Sequence, residues 1–218
     1  MLAFFDIETT GLEADCEMTC GVVRMNDEVN IFYTAMDMVQ FMRGCADDTV
    51  FVTFNGLSFD FRVLSTLCAK NQSQMLAEWA AKTAASTRHI DIMFAFLAEN
   101  GYYTSMNSFA EPLEVAKTWE GAEAARSADL PKIVAYCESD VEILQKVYES
   151  GVEKSYLKRK AKGTGKTVVW VLPPAGFRNV DNVLKMLKTR LPDQKWMTEP
   201  PPVPSGQVQW TYDYIPAE

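Results

Sequence analysis

The chain predicts an α/β domain, a mixed sheet covered by helices, and three observations carry that expectation. Three strand-like segments open the sequence. The VFVTF run at 50–54, apolar but for Thr53, reads as a short, buried central strand. A strong helical pattern then runs from about 130 to 150.

Taken in order, residues 2–8 form the first predicted strand. Residues 16–25 (CEMTCGVVRM) and 28–34 (EVNIFYT) form two more, joined by a tight turn at Asn26-Asp27. Helical apolar spacing covers 36–45. The strand at 50–54 follows, and helical periodicity resumes over 59–69 and 75–85. A short extended piece, HIDIM, is expected at 89–93, with helices near 94–99 and 105–116. The helix from 130 carries Pro131 in its first turn, where a missing N–H costs nothing.

Beyond Gly151 the composition shifts. Residues 154–166 (KSYLKRKAKGTGK) hold Lys154, Lys158, Arg159, Lys160, Lys162 and Lys166 without an acid. The apolar VVWVLP comes next, then an expected helix at 178–190 and an extended tail from Pro192 containing EPPPVP. The expected division is a domain over 1–150 and a C-terminal extension, 151–218, on or beside it. No internal repeat is present.

A length of 218 residues suits one domain, and 48% apolar and 11% aromatic residues suffice for a sizeable core. No apolar run is long enough to span a membrane, and the N-terminus lacks the pattern of a signal peptide. Five scattered cysteines, Cys16, Cys20, Cys45, Cys68 and Cys137, read as buried thiols of a reducing cytoplasm. A cytoplasmic location is the expectation. The net charge of −8 argues against a generic polyanion-coating protein. It leaves room for an enzyme that meets nucleic acid through a local basic surface and metal ions.

The first strand poses a problem. Asp6 and Glu8 lie two residues apart in LAFFDIETTGL, so their carboxylates share one face and repel. Two further segments bear on it. The strand at 50–54 runs into NGLSFD, which places Asp60 where the chain turns into a helix. In YCESD, Tyr136 and Asp140 stand four residues apart on one helix face. Four carboxylates from three segments sharing one site would suit hard divalent cations, Mg²⁺ or Mn²⁺. Two such ions roughly 4 Å apart can clamp an in-line displacement at phosphorus. Tyr136 would then hydrogen-bond the attacking water.

DIETTG, NGLSFD and YCESD resemble, in order and separation, the three exonuclease motifs of the DEDD family of 3′–5′ exonucleases, which has a ribonuclease-H-like fold. The resemblance covers roughly residues 1–150. It implies that Asp6 bridges both metals, that Glu8 and Asp140 complete the nucleophile's metal site, and that Asp60 holds the second ion. Tyr136 lies four before Asp140, and Ala135 occupies the place of the histidine branch's His. The chain is thus similar to the tyrosine branch, which includes proofreading domains of family B polymerases and stand-alone relatives. HIDIM and NSFAEPL also resemble those stand-alone forms. The match further implies that the Thr9 amide and the Leu12 side chain meet the terminal nucleotide, and that Asn55 and Phe59 position the 3′ end.

Several motifs invite simpler readings. His89, the only histidine, is expected to be structural or peripheral, and Asp91 to cap a strand or helix. GTGKT at 163–167 resembles a phosphate-binding loop, but the full pattern needs glycine where Lys160 stands. The basic run is either a solvated loop or a guide for the nucleic-acid backbone through Lys158, Arg159 and Lys160. Trp170, Trp196 and Trp210 could stack bases, though packing is the more common use.

The expected function is a metal-dependent 3′–5′ exonuclease releasing nucleoside 5′-monophosphates, with single-stranded DNA as the favoured substrate. A 3′–5′ exoribonuclease and a non-cleaving module that grips nucleic-acid ends are the alternatives. Any polymerase or replication partner would act in trans, since no polymerase segment accompanies these motifs.

Overall fold

In the computed structural model the described residues are 1–13, 15–115, 129–161, 164–174 and 176–178. The expected helix at 178–190, apart from its first residue, and the tail with Trp196 and Trp210 lie outside them, as do Lys162 and Gly163.

Five strands build the main sheet: β1 (Leu2–Thr9), β2 (Met18–Met25), β3 (Glu28–Phe32), β4 (Val50–Thr53) and β5 (His89–Asp91). Their order is β3-β2-β1-β4-β5. The β1-β2-β3 half is antiparallel, while β4 and β5 run parallel to β1. This is a mixed sheet with β1 at its centre, the α/β, ribonuclease-H-like architecture expected.

The helices are α1 (Ala35–Gly44), α2 (Asp60–Lys70), α3 (Gln74–Ala84), α4 (Ile92–Asn100), α5 (Met106–Ala110) and α6 (Leu130–Lys154). One face of β1 packs towards α2 through Phe5, whose ring lies 5.0 Å from that of Phe61. The opposite face meets α6, where Phe4 and Tyr148 pack edge to face at 5.5 Å. The sheet-facing side of α6 repeats at three- and four-residue steps through Ile133, Cys137, Val141, Leu144 and Tyr148, with Asp140 buried beside Val141.

Three element boundaries depart from expectation. HIDIM is not one extended piece: the strand stops at Asp91, whose carboxylate accepts the Phe94 amide at 3.1 Å and caps α4. The helix expected at 105–116 is α5 followed by a 3-10 turn, Glu111–Leu113, that ends where Glu114 adopts a left-handed φ of 58°. The basic run is not wholly loop. Its first part is β6 (Tyr156–Lys160), paired antiparallel with β7 (Thr167–Val171).

The β6–β7 hairpin packs through its inward side chains. Leu157 and Trp170 are buried opposite each other. Trp170 meets Phe96 at 5.0 Å and Phe177 at 5.8 Å, and Phe177 stacks on Tyr148 at 5.3 Å. Gly151 permits that stacking, since a Cβ there would stand 2.5 Å from the Phe177 ring. Among the described residues no helix is long and apolar enough to cross a membrane.

Candidate active site

The chemistry gathers at the carboxyl end of β1, where β1 and β4 part. Their paired register runs only from Leu2–Val50 to Phe4–Val52. Beyond it, the Ile7 amide donates to Asp60 Oδ1 at 3.1 Å instead. The third acid is thereby fixed to the backbone between the first two. On the other edge, the β1–β2 register slips between Glu8 and Thr9, an irregularity that ends regular pairing beside the second acid.

Asp6 and Glu8 are half-buried and share the β1 face that α6 covers. From α6, Cys137 Sγ lies 3.4 Å from the Asp6 carbonyl oxygen and 3.9 Å from its Oδ2. Ligand atoms of Asp6, Glu8 and Cys137 all fall within 4.8 Å of one another. Asp140, one turn beyond Cys137, is buried on the same helix face, and Tyr136 beside it is half-buried. Segments of β1, α2 and α6 therefore converge here.

Burial, above all, pushes the Asp60 carboxyl up to about 7. The nearby Asp91 and Glu8 charges add to the rise, while its own amide and that of Ile7 oppose it. Asp91 is raised to about 6, again by burial first, against the amides of Leu57, Asn55, Phe94 and Met93. The Cys137 thiol is raised by its hydrogen bond with Cys20, then by burial and the Asp6 and Glu8 charges. Carboxylates crowded so closely in a part-buried site resist ionisation unless a cation joins them. The donor set, hard oxygens with one thiol at the edge, fits a divalent metal.

The other residues singled out in the sequence are more dispersed. Thr9 ends β1, half-exposed, and Leu12 projects into solvent at 87% exposure. Asn55 adopts a left-handed φ of 76°, with its side-chain oxygen accepting from the Ser58 hydroxyl. Phe59 is the half-buried residue just before α2. On the hairpin, Lys158 is exposed and Lys160 half-buried, but Arg159 points inward. Its guanidinium donates to the Tyr102 hydroxyl and lies over the Phe96 and Tyr102 rings.

His89 is buried, with Nε2 2.8 Å from Thr53 Oγ1 and Nδ1 3.0 Å from the Ala84 carbonyl oxygen. Burial lowers it to about 4, so it is neutral at pH 7, a structural group. Two features escaped the sequence reading. Cys137 appeared only as one of five scattered thiols, although its place between Tyr136 and Asp140 put it on the acid-bearing turn. Asp91 looked like a cap alone, yet it also grips the turn that leads to Asp60.

A five-stranded 3-2-1-4-5 sheet with acids at the end of its central strand defines a ribonuclease-H-like α/β protein. A family model described as RNase_H superfamily matches residues 3–152, and the chain belongs to that superfamily. Membership points to nuclease or nucleic-acid-processing activity, and nucleases of this superfamily generally use divalent metal ions. No curated protein sequence matches the chain.

Proposed function

We propose that this protein is a 3′–5′ exonuclease of the tyrosine type, hydrolysing nucleic acid from a free 3′ end. The observation that carries the reading is the convergence of Asp6 and Glu8 with Asp60, bonded between them at Ile7, and with the Tyr136–Asp140 turn of α6.

On this reading Asp6, Glu8, Asp60 and Asp140 hold two divalent ions, Mg²⁺ or Mn²⁺. When bound, the ions supply a polarised water and charge stabilisation at the scissile phosphate. Tyr136 orients that water through its hydroxyl. On the same reading Thr9, Leu12, Asn55 and Phe59 receive the terminal nucleotide. The product is a nucleoside 5′-monophosphate. Single-stranded DNA is the favoured substrate because partly buried acids are reached by a splayed end more readily than by a paired one. Lys158 and Lys160 guide the strand further along, and Arg159 holds their hairpin in place.

The test is digestion of 5′-labelled single-stranded DNA and RNA with Mg²⁺, Mn²⁺ or EDTA, beside an Asp140→Ala variant. A metal-dependent ladder shortening from the 3′ end, absent in the variant, is expected. If neither substrate yields a ladder with either metal, the centre grips ends without cleaving them.

A further inference from the structure

The turn from Asn55 to Phe59 leads into Asp60, which bonds the Ile7 amide between the two β1 acids, and it is not a relaxed piece of chain. Asn55 sits at φ 76°, a region that side-chain-bearing residues seldom adopt. Gly56 is pressed against Thr53, since a Cβ there would lie 2.5 Å from Thr53 Oγ1. The turn closes on itself through Phe59 N–H to the Asn55 carbonyl at 3.0 Å and Phe61 N–H to the Gly56 carbonyl at 3.0 Å. Something outside the turn must hold it in this shape.

Asp91 does so from the neighbouring strand. It ends β5 in register with Thr53, the last residue of β4, and is only 6% exposed. Its Oδ1 accepts the Asn55 amide at 3.0 Å, and its Oδ2 accepts the Leu57 amide at 2.8 Å. Oδ1 also accepts the Phe94 amide that starts α4. The three amide donors on two oxygens call for a group that only accepts, which an ionised carboxylate is and a carboxamide is not.

We propose that Asp91 is a positioning residue of the site. By gripping Asn55 and Leu57 while capping α4, it locks the turn that delivers Asp60 to the metal-binding acids. The inference rests on reading the acids as a metal centre; it does not need the substrate to be known.

Two substitutions separate positioning from capping. Asp91→Ser keeps a good N-cap for α4 but is too short to span both turn amides. Asp91→Asn keeps one acceptor oxygen and sets an N–H₂ against a backbone N–H. Mn²⁺ binding to the whole chain is followed by electron paramagnetic resonance without substrate, together with the melting temperature, kcat and KM. The serine variant is expected to melt close to wild type while losing roughly tenfold or more in Mn²⁺ affinity, as for residues that orient metal ligands. Its kcat should fall with little change in KM, and the asparagine variant should show the same pattern.

Variants that bind Mn²⁺ and turn over as wild type does, with only the melting temperature lowered, would overturn the proposal. A wild type that binds Mn²⁺ without cleaving, while the variants bind it more weakly, would overturn the exonuclease reading and leave Asp91 in its role. A wild type that binds no Mn²⁺ would overturn the metal centre and this inference with it.

Discussion

Tyr136 and Asp140 occupy successive turns of one face of α6, yet their environments differ. Asp140 is buried against the sheet, whereas Tyr136 is half-buried, at the rim of that helix face. A phenol at such a rim can reach a water or phosphate beside the centre without crowding the metal donors. Removing only its hydroxyl should therefore separate water orientation from metal binding. Tyr136→Phe is expected to lower kcat about 100-fold, the lower range for a lost general acid–base group. Mn²⁺ affinity and KM should remain near wild type, and steady-state kinetics alongside Mn²⁺ titration checks both. An unchanged kcat would move the water-orienting role away from Tyr136.

The elements differ in how plainly the sequence declares them. β1 was legible because apolar residues run unbroken up to Asp6, and acids at such a strand end need a reason. α6 was legible from its three- and four-residue repeat. The hairpin was not, because YLKRK pairs every apolar position with cations and looks solvated. Tertiary packing decides it: Arg159 turns inward to Tyr102 and Phe96, which leaves Lys158 and Lys160 on the outer face. Cation–π contact and a phenol acceptor satisfy a buried guanidinium in ways that no local pattern reveals. The capping role of Asp91 was legible, but its grip on the turn was not, since its two turn partners lie 34 and 36 residues away. The outer lysines carry a prediction of their own. Replacing Lys158 and Lys160 with Ala should weaken binding of single-stranded DNA and reduce the magnitude of its log–log salt slope by about 1 to 2. Melting temperature should hold, because neither side chain is fully buried. Fluorescence anisotropy across a salt series checks this; an unchanged slope would make the outer face a plain solvated surface.

For the molecule as a whole, three buried groups couple stability to pH in opposing senses. Asp60, raised to about 7, and Asp91, raised to about 6, keep protons in the folded protein that the unfolded chain releases near 3.8. The folded state then binds more protons than the unfolded one, so their contribution to stability falls as pH rises towards those values. His89 acts the other way. Lowered to about 4 from 6.5, it is protonated in the unfolded chain but not in the folded protein across that window, and it adds stability as pH rises. Between about pH 6.5 and 7 Asp91 is mostly ionised and adds little, the still partly protonated histidine of the unfolded chain opposes the decline, and Asp60 outweighs both. Metal-free protein in EDTA should therefore still lose stability across that interval, at a slope on the order of 1 kcal/mol per pH unit at most. Asp60→Asn keeps an oxygen for the Ile7 amide but cannot ionise, and should flatten the decline. Saturating Mn²⁺ should reverse it in the wild type, because the ion binds the carboxylate that deprotonation creates. Urea unfolding at pH steps from 5 to 8, with and without Mn²⁺, measures all three curves. If wild type and Asp60→Asn had parallel profiles in EDTA, Asp60 would already be ionised in the folded protein. The centre would then hold its full negative charge before any metal arrives.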